Sequence, residues 1–302
     1  MIIAKMLGGL GNQMFCYAFA RSLQLENNEE LFLDCGVYNR YKVRDYSLNM
    51  LNIPDTIKNS SEVKRRVVSN GYLNLSQKLY HVFFKIKKVS LRTDKIGESV
   101  FQLLGEKGLY YNLDRYYYPI VESKKEFKYT YGYFQSEKYF RGHKELIKKE
   151  LKVRIQPTNK EKELLEDIKS NDAVGISIRW GKDYRNSPLN ICNKEYYYKA
   201  MDIIAEKIEE PTFYIFSDCI EDVVKDFDFK YPVRYIEGFK DYESLRLLYT
   251  CKHFIIANSS FSWWGAYLSE NNQKIVIAPS KWYKDSTKRP DIYLDDMVLI
   301  DV

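Results

Sequence analysis

The chain has 302 residues, 45% hydrophobic and 29% charged, a globular balance that excludes collagen, extended coiled coil and wholesale disorder. Lysine and arginine (47) exceed aspartate and glutamate (41), and the net charge of +6 suits an anionic ligand or a membrane surface as readily as nucleic acid. No apolar run approaches the length of about 18 residues needed for a transmembrane helix. Residues 1–10 lack a basic segment followed by a long apolar core, so no signal peptide is expected.

Five cysteines, Cys16, Cys35, Cys192, Cys219 and Cys251, are widely spaced and form no CxxC pair. That pattern is neither a disulfide framework nor a zinc site, and it fits a reducing compartment. His81, His143 and His253 are the only histidines and no HExxH occurs, which disfavours a zinc hydrolase or a histidine-based triad. The 27 tyrosines, 16 phenylalanines and 4 tryptophans are expected mainly in cores, with some free to form a platform for sugar rings or bases.

Residues 1–6 form an apolar run that predicts a buried strand. Gly8-Gly9-Leu10-Gly11 is a turn, and residues 12–26 predict a helix with Phe15, Ala18, Phe19, Ser22 and Leu23 on one face. Residues 30–34 are a second strand, completing a βαβ unit with a glycine-rich first turn. Residues 36–155 are less regular. Between Lys58 and Lys95 ten basic residues face two acidic ones, a local net of +8. Within it, residues 76–92 (SQKLYHVFFKIKKVSLR) are basic and apolar together, suiting a helix on a membrane surface or one whose apolar face packs on its own domain. Residues 128–134 predict a strand.

Beyond residue 160 strands and helices alternate. Strands are expected at 173–178, 212–217, 233–237, 253–258 and 274–278. Helices are expected at 193–210, ended by Pro211, at 221–227, at 241–251 with Asp241 as its cap, and at 260–269. Such alternation implies a parallel sheet covered on both faces, hence an α/β protein. The domain boundary is expected near Gln156-Pro157-Thr158, giving domains of 1–155 and 156–302.

In open α/β sheets ligands bind beyond the carboxyl ends of the strands. At those positions stand Gly8 to Gln13, Arg179 to Arg185, Asp218, Gly238, and Asn258-Ser259-Ser260. A cation, carboxylates, hydroxyls and helix starts are the equipment for a phosphorylated ligand. Asn258-Ser259-Ser260 opens a helix, where backbone amides bind phosphate and serines add donors, although Ser259 or Ser260 also suits a simple cap. Arg179 suits a bidentate phosphate, or a salt bridge to Asp183 or Asp218. Asp218 suits guanine N–H groups or a ribose hydroxyl, or a helix cap. Gly9-Leu10-Gly11-Asn12-Gln13-Met14 partly matches the dinucleotide fingerprint, with Asp34 where a ribose-binding acid would sit, but Met14 occupies the place of the third small residue. No Walker loop occurs. Asp226-Phe227-Asp228 is a DxD in a charged stretch, a weak metal candidate, and His253 is expected to be structural.

LGGLGNQMFCYAFARSL at residues 7–23 and HFIIANSSFSWWGAYL at residues 253–268 resemble the signature segments of the family-11 glycosyltransferases, the α-1,2-fucosyltransferases of bacterial type; FYIFSD at 213–218 and KIVIAPSKWY at 274–283 are similar as well. The resemblance runs from residue 1 to about 284 with a divergent middle. It implies a GT-B-like fold of two Rossmann-like domains facing a central cleft, an acceptor-side domain followed by a nucleotide-sugar-binding one. It implies transfer of L-fucose from GDP-β-L-fucose, with inversion and without a metal or other cofactor, to the 2-hydroxyl of a galactose or similar sugar in a glycan. Where the family carries His-x-Arg-Arg-Gly-Asp-Tyr, this chain reads Ser177-Ile178-Arg179-Trp180-Gly181-Lys182-Asp183-Tyr184, with Ser177 for the His, Trp180 for the second Arg, and Lys182 inserted.

The residues assigned to catalysis are Arg179 and, as the base, Asp183; Glu237, outside the matched segments, is the reserve base. For donor binding they are Gly9, Gly11, Asn12, Gln13, Ser177, Arg179, Ser217, Asp218, Asn258, Ser259, Ser260 and Phe261. No nucleic-acid partner is expected. A cytoplasmic location is expected, with a peripheral contact on the inner face of the plasma membrane through residues 58–95. Competing readings are a relative using another nucleotide-sugar donor, a NAD-dependent oxidoreductase, a non-catalytic sugar binder, and a nucleic-acid binder.

Overall fold

The computed structural model describes residues 1–39, 44–59, 71–90, 94–284 and 289–302. It divides into two compact units, Met1–Glu150 and Leu151–Val302.

The first unit is a parallel sheet of β1 (Ile2–Lys5), β2 (Leu31–Asp34), β3 (Lys58–Asn59), β4 (Leu109–Asn112) and β5 (Lys128–Gly132), in the order β3-β2-β1-β5-β4. Helix α1 (Leu10–Asn27) follows β1 and is buried along most of its length, with Phe15, Ala18, Phe19 and Leu23 inside as the periodicity predicts. It ends at Asn28, which adopts the left-handed conformation that asparagine tolerates at a C-terminus. Among the described residues the unit also contains α2 (Gly71–Ser90), α3 (Asp94–Glu106) and α4 (Lys144–Glu150). The tyrosine-rich strands β4 and β5 account for much of the aromatic content as core. Tyr111 and Tyr129 are buried beside Leu73 and Tyr80 of α2, and Phe19 stacks on Phe134 at 4.1 Å.

The second unit contains α5 (Asn159–Ser170), β6 (Ala173–Ile178), α6 (Lys182–Arg185), α7 (Lys194–Ala205), β7 (Thr212–Ser217), α8 (Ile220–Asp226), β8 (Val233–Ile236), α9 (Asp241–Thr250), β9 (His253–Ile255), α10 (Ser260–Leu268), β10 (Val276–Pro279) and β11 (Val298–Ile300). Its six parallel strands run β11-β10-β9-β6-β7-β8. Counted from β6, this is 3-2-1-4-5-6 from the β8 edge, the Rossmann order. Val174, Ile176, Ile215 and Ile255 are fully buried, as expected of strands covered on both faces.

Three local expectations are corrected. The helix expected at 193–210 spans Lys194–Ala205, capped by Asn193, whose side chain accepts from Tyr196 N; Ile208 packs on the core from outside the helix. The cap of α9 is Lys240, not Asp241, because Glu243 reaches back to the Lys240 amide at 2.8 Å. Strands β4 and β11, too short to stand out as apolar runs, were not anticipated.

Candidate functional site

In the second unit β6 and β9 are neighbours, yet the chain leaves β6 towards β7 and β8 and leaves β9 towards β10 and β11. Their carboxyl ends therefore mark the switch point at which doubly wound sheets bind ligands. The end of β6 delivers Ser177 and then Arg179-Trp180-Gly181. The segment after β9 delivers Asn258-Ser259 and the start of α10. The neighbouring β7 ends in Ser217 and delivers Asp218. Eight of the residues singled out in this half of the sequence thus stand on three adjacent strand ends.

Arg179 is held by carboxylates. Its Nη2 lies 3.4 Å from Asp183 Oδ2 and its Nε 2.9 Å from Asp218 Oδ2. The second contact is an ion pair only, since the buried Nε–H is not aligned on an acceptor. The guanidinium carbon sits 5.4 Å from the Tyr184 ring centroid. Asp218 also gathers the loop after β6, because Oδ1 accepts from Trp180 N at 2.8 Å and Gly181 N at 3.1 Å. A Cβ on Gly181 would stand 2.9 Å from Asp183 Oδ1 and 3.1 Å from Asp218 Oδ2, so only glycine leaves both carboxylates in place. Both ion-pair partners weighed for Arg179 are thus engaged, and Asp218 acts first on the chain itself. Asp183 is exposed.

Trp180 points elsewhere. Its Nε1 donates to Asp226 Oδ2 at 2.7 Å and its ring meets Phe227 edge-on. Asp226 also pairs with Arg185, which contacts Asp222 as well. The Trp180 hydrogen bond, helped by Lys194 and Arg185, holds the Asp226 carboxyl below its usual range. The first carboxylate of the DxD is therefore committed to these donors. Among the described residues no group of three or more His, Cys, Asp or Glu side chains is placed to hold a metal ion.

Asn258 is saturated. Its Nδ2 donates to Leu189 O (2.9 Å) and Trp282 O (3.0 Å), and its Oδ1 accepts from the Tyr184 hydroxyl. It pins two distant loops beside the switch point. Ser259 is the N-cap of α10 but makes no side-chain capping bond, and Ser262 Oγ turns inward to Ala257 O and Ser259 O. The first intrahelical bond is Trp263 N to Ser259 O. Helix α10 therefore opens at Ser259, and its start carries the partly positive end of the helix dipole. Trp263 and Trp264 are fully buried.

Beside Asp218 a depression of about 370 Å³ lies beyond β7 and β8, lined among others by Ser217, Ile220, Glu237, Phe239 and Ser244. Lys160 contacts two of its lining residues, with Nζ donating to Glu237 O and lying 4.5 Å from the Phe239 ring centroid.

The first unit has its own switch point, between β1 and β5. Gly8 takes φ +70°, and a Cβ there would approach Asn12 Nδ2 to 2.6 Å, so this turn requires glycine. Gly9 is the N-cap of α1, and Gly11 is buried in its first turn. Gln13 is wholly buried and bonded in all directions: Nε2 donates to Gly8 O and Asp45 O, and Oε1 accepts from Ser47 N and Leu48 N. It builds the turn from within. Asn12, half-buried, accepts from Gln135 Nε2 at 2.8 Å. Asp34 Oδ1 accepts from Gly36 N, and the buried Met14 fills the place of the third fingerprint glycine. His253 Nδ1 accepts from Ile275 N, a structural contact.

Two contributors carried no sequence signal. Gln135 acts through a partner far along the chain, and Arg44, whose Cδ would lie 3.5 Å from a Cβ on Gly9, stands over the glycine turn from a separate loop. Tyr184 was named in the segment after β6 but without the role its bond to Asn258 gives it.

Comparison with known proteins gives the family and the fold. The model of glycosyl transferase family 11 matches residues 1–301. An alpha-1,2-colitosyltransferase of Escherichia coli is 30% identical over 292 residues, covering 94% of this chain and 92% of the relative. The O-antigen biosynthesis glycosyltransferase WbnK of Escherichia coli is 28% identical, covering 93% and 94%. Among solved structures, the NodZ alpha-1,6-fucosyltransferase soaked with GDP-fucose superposes with a TM-score of 0.52 at 14% identity, over 88% of this chain and 91% of that one. A further structure of NodZ, from Bradyrhizobium, gives 0.51. The fold is GT-B-like, two Rossmann-like units. The chain belongs to glycosyl transferase family 11, and its activity is that of a glycosyltransferase.

Proposed function

We propose that this glycosyltransferase moves L-fucose from GDP-β-L-fucose to the 2-hydroxyl of a galactose residue in a bacterial surface glycan, with inversion and without a metal ion. The observation that carries the reading is that Arg179, just beyond β6, and the start of α10, just beyond β9, follow neighbouring strands at one switch point. Displacement at the anomeric carbon has oxocarbenium character, and the charge to be stabilised collects on the departing β-phosphate. The start of α10 offers fixed backbone donors for that charge, a kind of donor commonly worth about 3–4 kcal/mol, and the Arg179 guanidinium adds its cation. Ser177 stands near the carboxyl end of β6, paired with Phe216 of β7. Binding would draw Arg179 from its carboxylates towards phosphate, while Asp218 keeps the loop in register.

The depression beyond β7 and β8 suits the nucleoside. Ile220 and Phe239 offer apolar walls, Ser217 and Ser244 hydroxyls, and Glu237 a carboxylate acceptor for guanine N–H groups. Asp183, exposed and beside Arg179, is the base for the acceptor hydroxyl. The α-1,2 linkage follows the signature segments and the name of the Escherichia coli relative. The dispersed thiols suit the cytoplasm, where they stay reduced.

A second donor is favoured by one observation. The relative at 30% identity is named for colitose, which is fucose without its 3-hydroxyl, and this chain departs from the family pattern at Ser177, Trp180 and Lys182. The test is calorimetric titration with GDP, GDP-fucose, UDP and NAD in the presence of a chelator, then transfer to a galactoside. GDP and GDP-fucose should bind and UDP and NAD should not. A higher kcat/KM with the GDP-linked 3-deoxy analogue would assign the second donor, and binding of UDP or NAD in place of GDP would overturn both.

A further inference from the structure

Helix α2 is apolar on two sides, and the fold uses one. Leu73 and Tyr80 are buried, and with Phe83 they pack against the tyrosines of β4 and β5. On another face Tyr72, Leu75, Leu79, Val82 and Ile86 are each more than half exposed, between 51% and 61%. Their spacing, i, i+3, i+7, i+10 and i+14, makes one straight stripe about 21 Å long. Five large apolar side chains in a row on one helix exceed the scattered exposure normal for a protein surface.

The charge around the stripe identifies the occupant. Lys78 and Lys85 are exposed, and their positions on the helix border the stripe. Helix α2 contains four lysines and no acidic residue. It lies in the 58–95 segment, whose net of +8 exceeds that of the whole chain; residues 60–70 and 91–93 of that segment lie outside the described residues. A second copy docking here would set lysine rows against each other. Anionic lipid headgroups complement them, while the apolar stripe enters the acyl boundary as a surface-lying helix does. No described helix is long and apolar enough to cross a membrane.

We propose that the Tyr72–Leu75–Leu79–Val82–Ile86 face of α2 is a docking surface for an anionic lipid bilayer. The test is co-sedimentation of the full chain with phosphatidylcholine vesicles with and without phosphatidylglycerol, at low and high salt. The protein should sediment with the anionic vesicles at low salt and be released by salt. Leu79→Glu with Val82→Glu should weaken binding on the order of tenfold or more, as should Lys78→Glu with Lys85→Glu. Both variants should keep the wild-type circular dichroism and urea midpoint, because none of the four side chains is buried. Failure to bind anionic vesicles, equal binding to neutral ones, or unchanged binding by both variants would overturn the proposal. So would a wild-type dimer in light scattering that the leucine and valine changes convert to monomer, since the stripe would then be covered by a second copy.

Discussion

Asp218 holds Arg179 and the turn that follows it with one carboxylate: Oδ2 stands 2.9 Å from Arg179 Nε while Oδ1 accepts from the amides of Trp180 and Gly181. The orientation of the cation and the path of the loop are therefore set together. Arg179→Ala should abolish transfer and leave the urea midpoint nearly unchanged, because the guanidinium is partly exposed. Asp218→Ala should do more, costing about 1.5–3 kcal/mol of stability through the lost charge-assisted hydrogen bonds and weakening GDP binding as the loop loosens. Asp218→Asn, which keeps an acceptor for both amides, should recover most of the stability but not the donor affinity. Calorimetry and urea unfolding on the three variants separate these effects.

Asn258 ties the strand end to two loops through Leu189 O, Trp282 O and the Tyr184 hydroxyl. Asn258→Leu leaves Trp282 O unpaired in a buried setting, at about 1–3 kcal/mol, and releases the half-buried Leu189 O. The urea midpoint should fall accordingly, and GDP affinity should fall with it. An unchanged midpoint would mean that these bonds do not hold the loops.

Helices α9 and α10 approach closely because Gly265 has no side chain. A Cβ there would come within 2.3 Å of Leu248 Cδ2, and one on Gly175 of β6 within 2.6 Å of Leu248 Cδ1. Gly265→Ala should destabilise the second unit by about 1–3 kcal/mol through overpacking. In the double variant Gly265→Ala/Leu248→Ala the added methyl gains room, so the two losses should be less than additive. Strict additivity in thermal or urea unfolding would place the strain elsewhere.

Burial lowers the pKa of His253 from its ordinary 6.5, and its Nδ1 must stay unprotonated to accept from Ile275 N. The unfolded chain binds that proton more readily, so stability is retained above pH 6.5 and lost as the pH falls from there through the lowered folded value. His253→Asn, whose Oδ1 retains an acceptor for the amide, should flatten that part of the stability profile. Urea midpoints at neutral pH and at intervals below it provide the check; identical slopes for the two proteins would remove His253 as the source.

The second unit was the more legible half. Strands such as β6 and β7 are buried on both faces and so appear as unbroken apolar runs ended by a charged residue, Arg179 or Asp218, and the succession of strand and helix implies the parallel sheet. In the first unit the same reasoning found β1, α1, β2 and β5 but missed β4, whose Leu109-Tyr110-Tyr111-Asn112 is short and rich in hydroxyls. The expected helix in the basic segment is present as α2, but its sequence did not reveal which apolar face the fold covers.

The linear sequence, through its signature segments and the order of its apolar runs, determined the family, the parallel α/β architecture and the residues that stand at strand ends. Those are local properties, carried by neighbours along the chain. What the polar residues at those ends touch was decided by the tertiary structure alone. Asp218 meets amides 37 and 38 residues away, Asn258 meets the Tyr184 hydroxyl across 74 residues and Trp282 O across 24, and no periodicity encodes such separations. Strand order brings these groups together, and the need to satisfy buried donors and acceptors selects their partners.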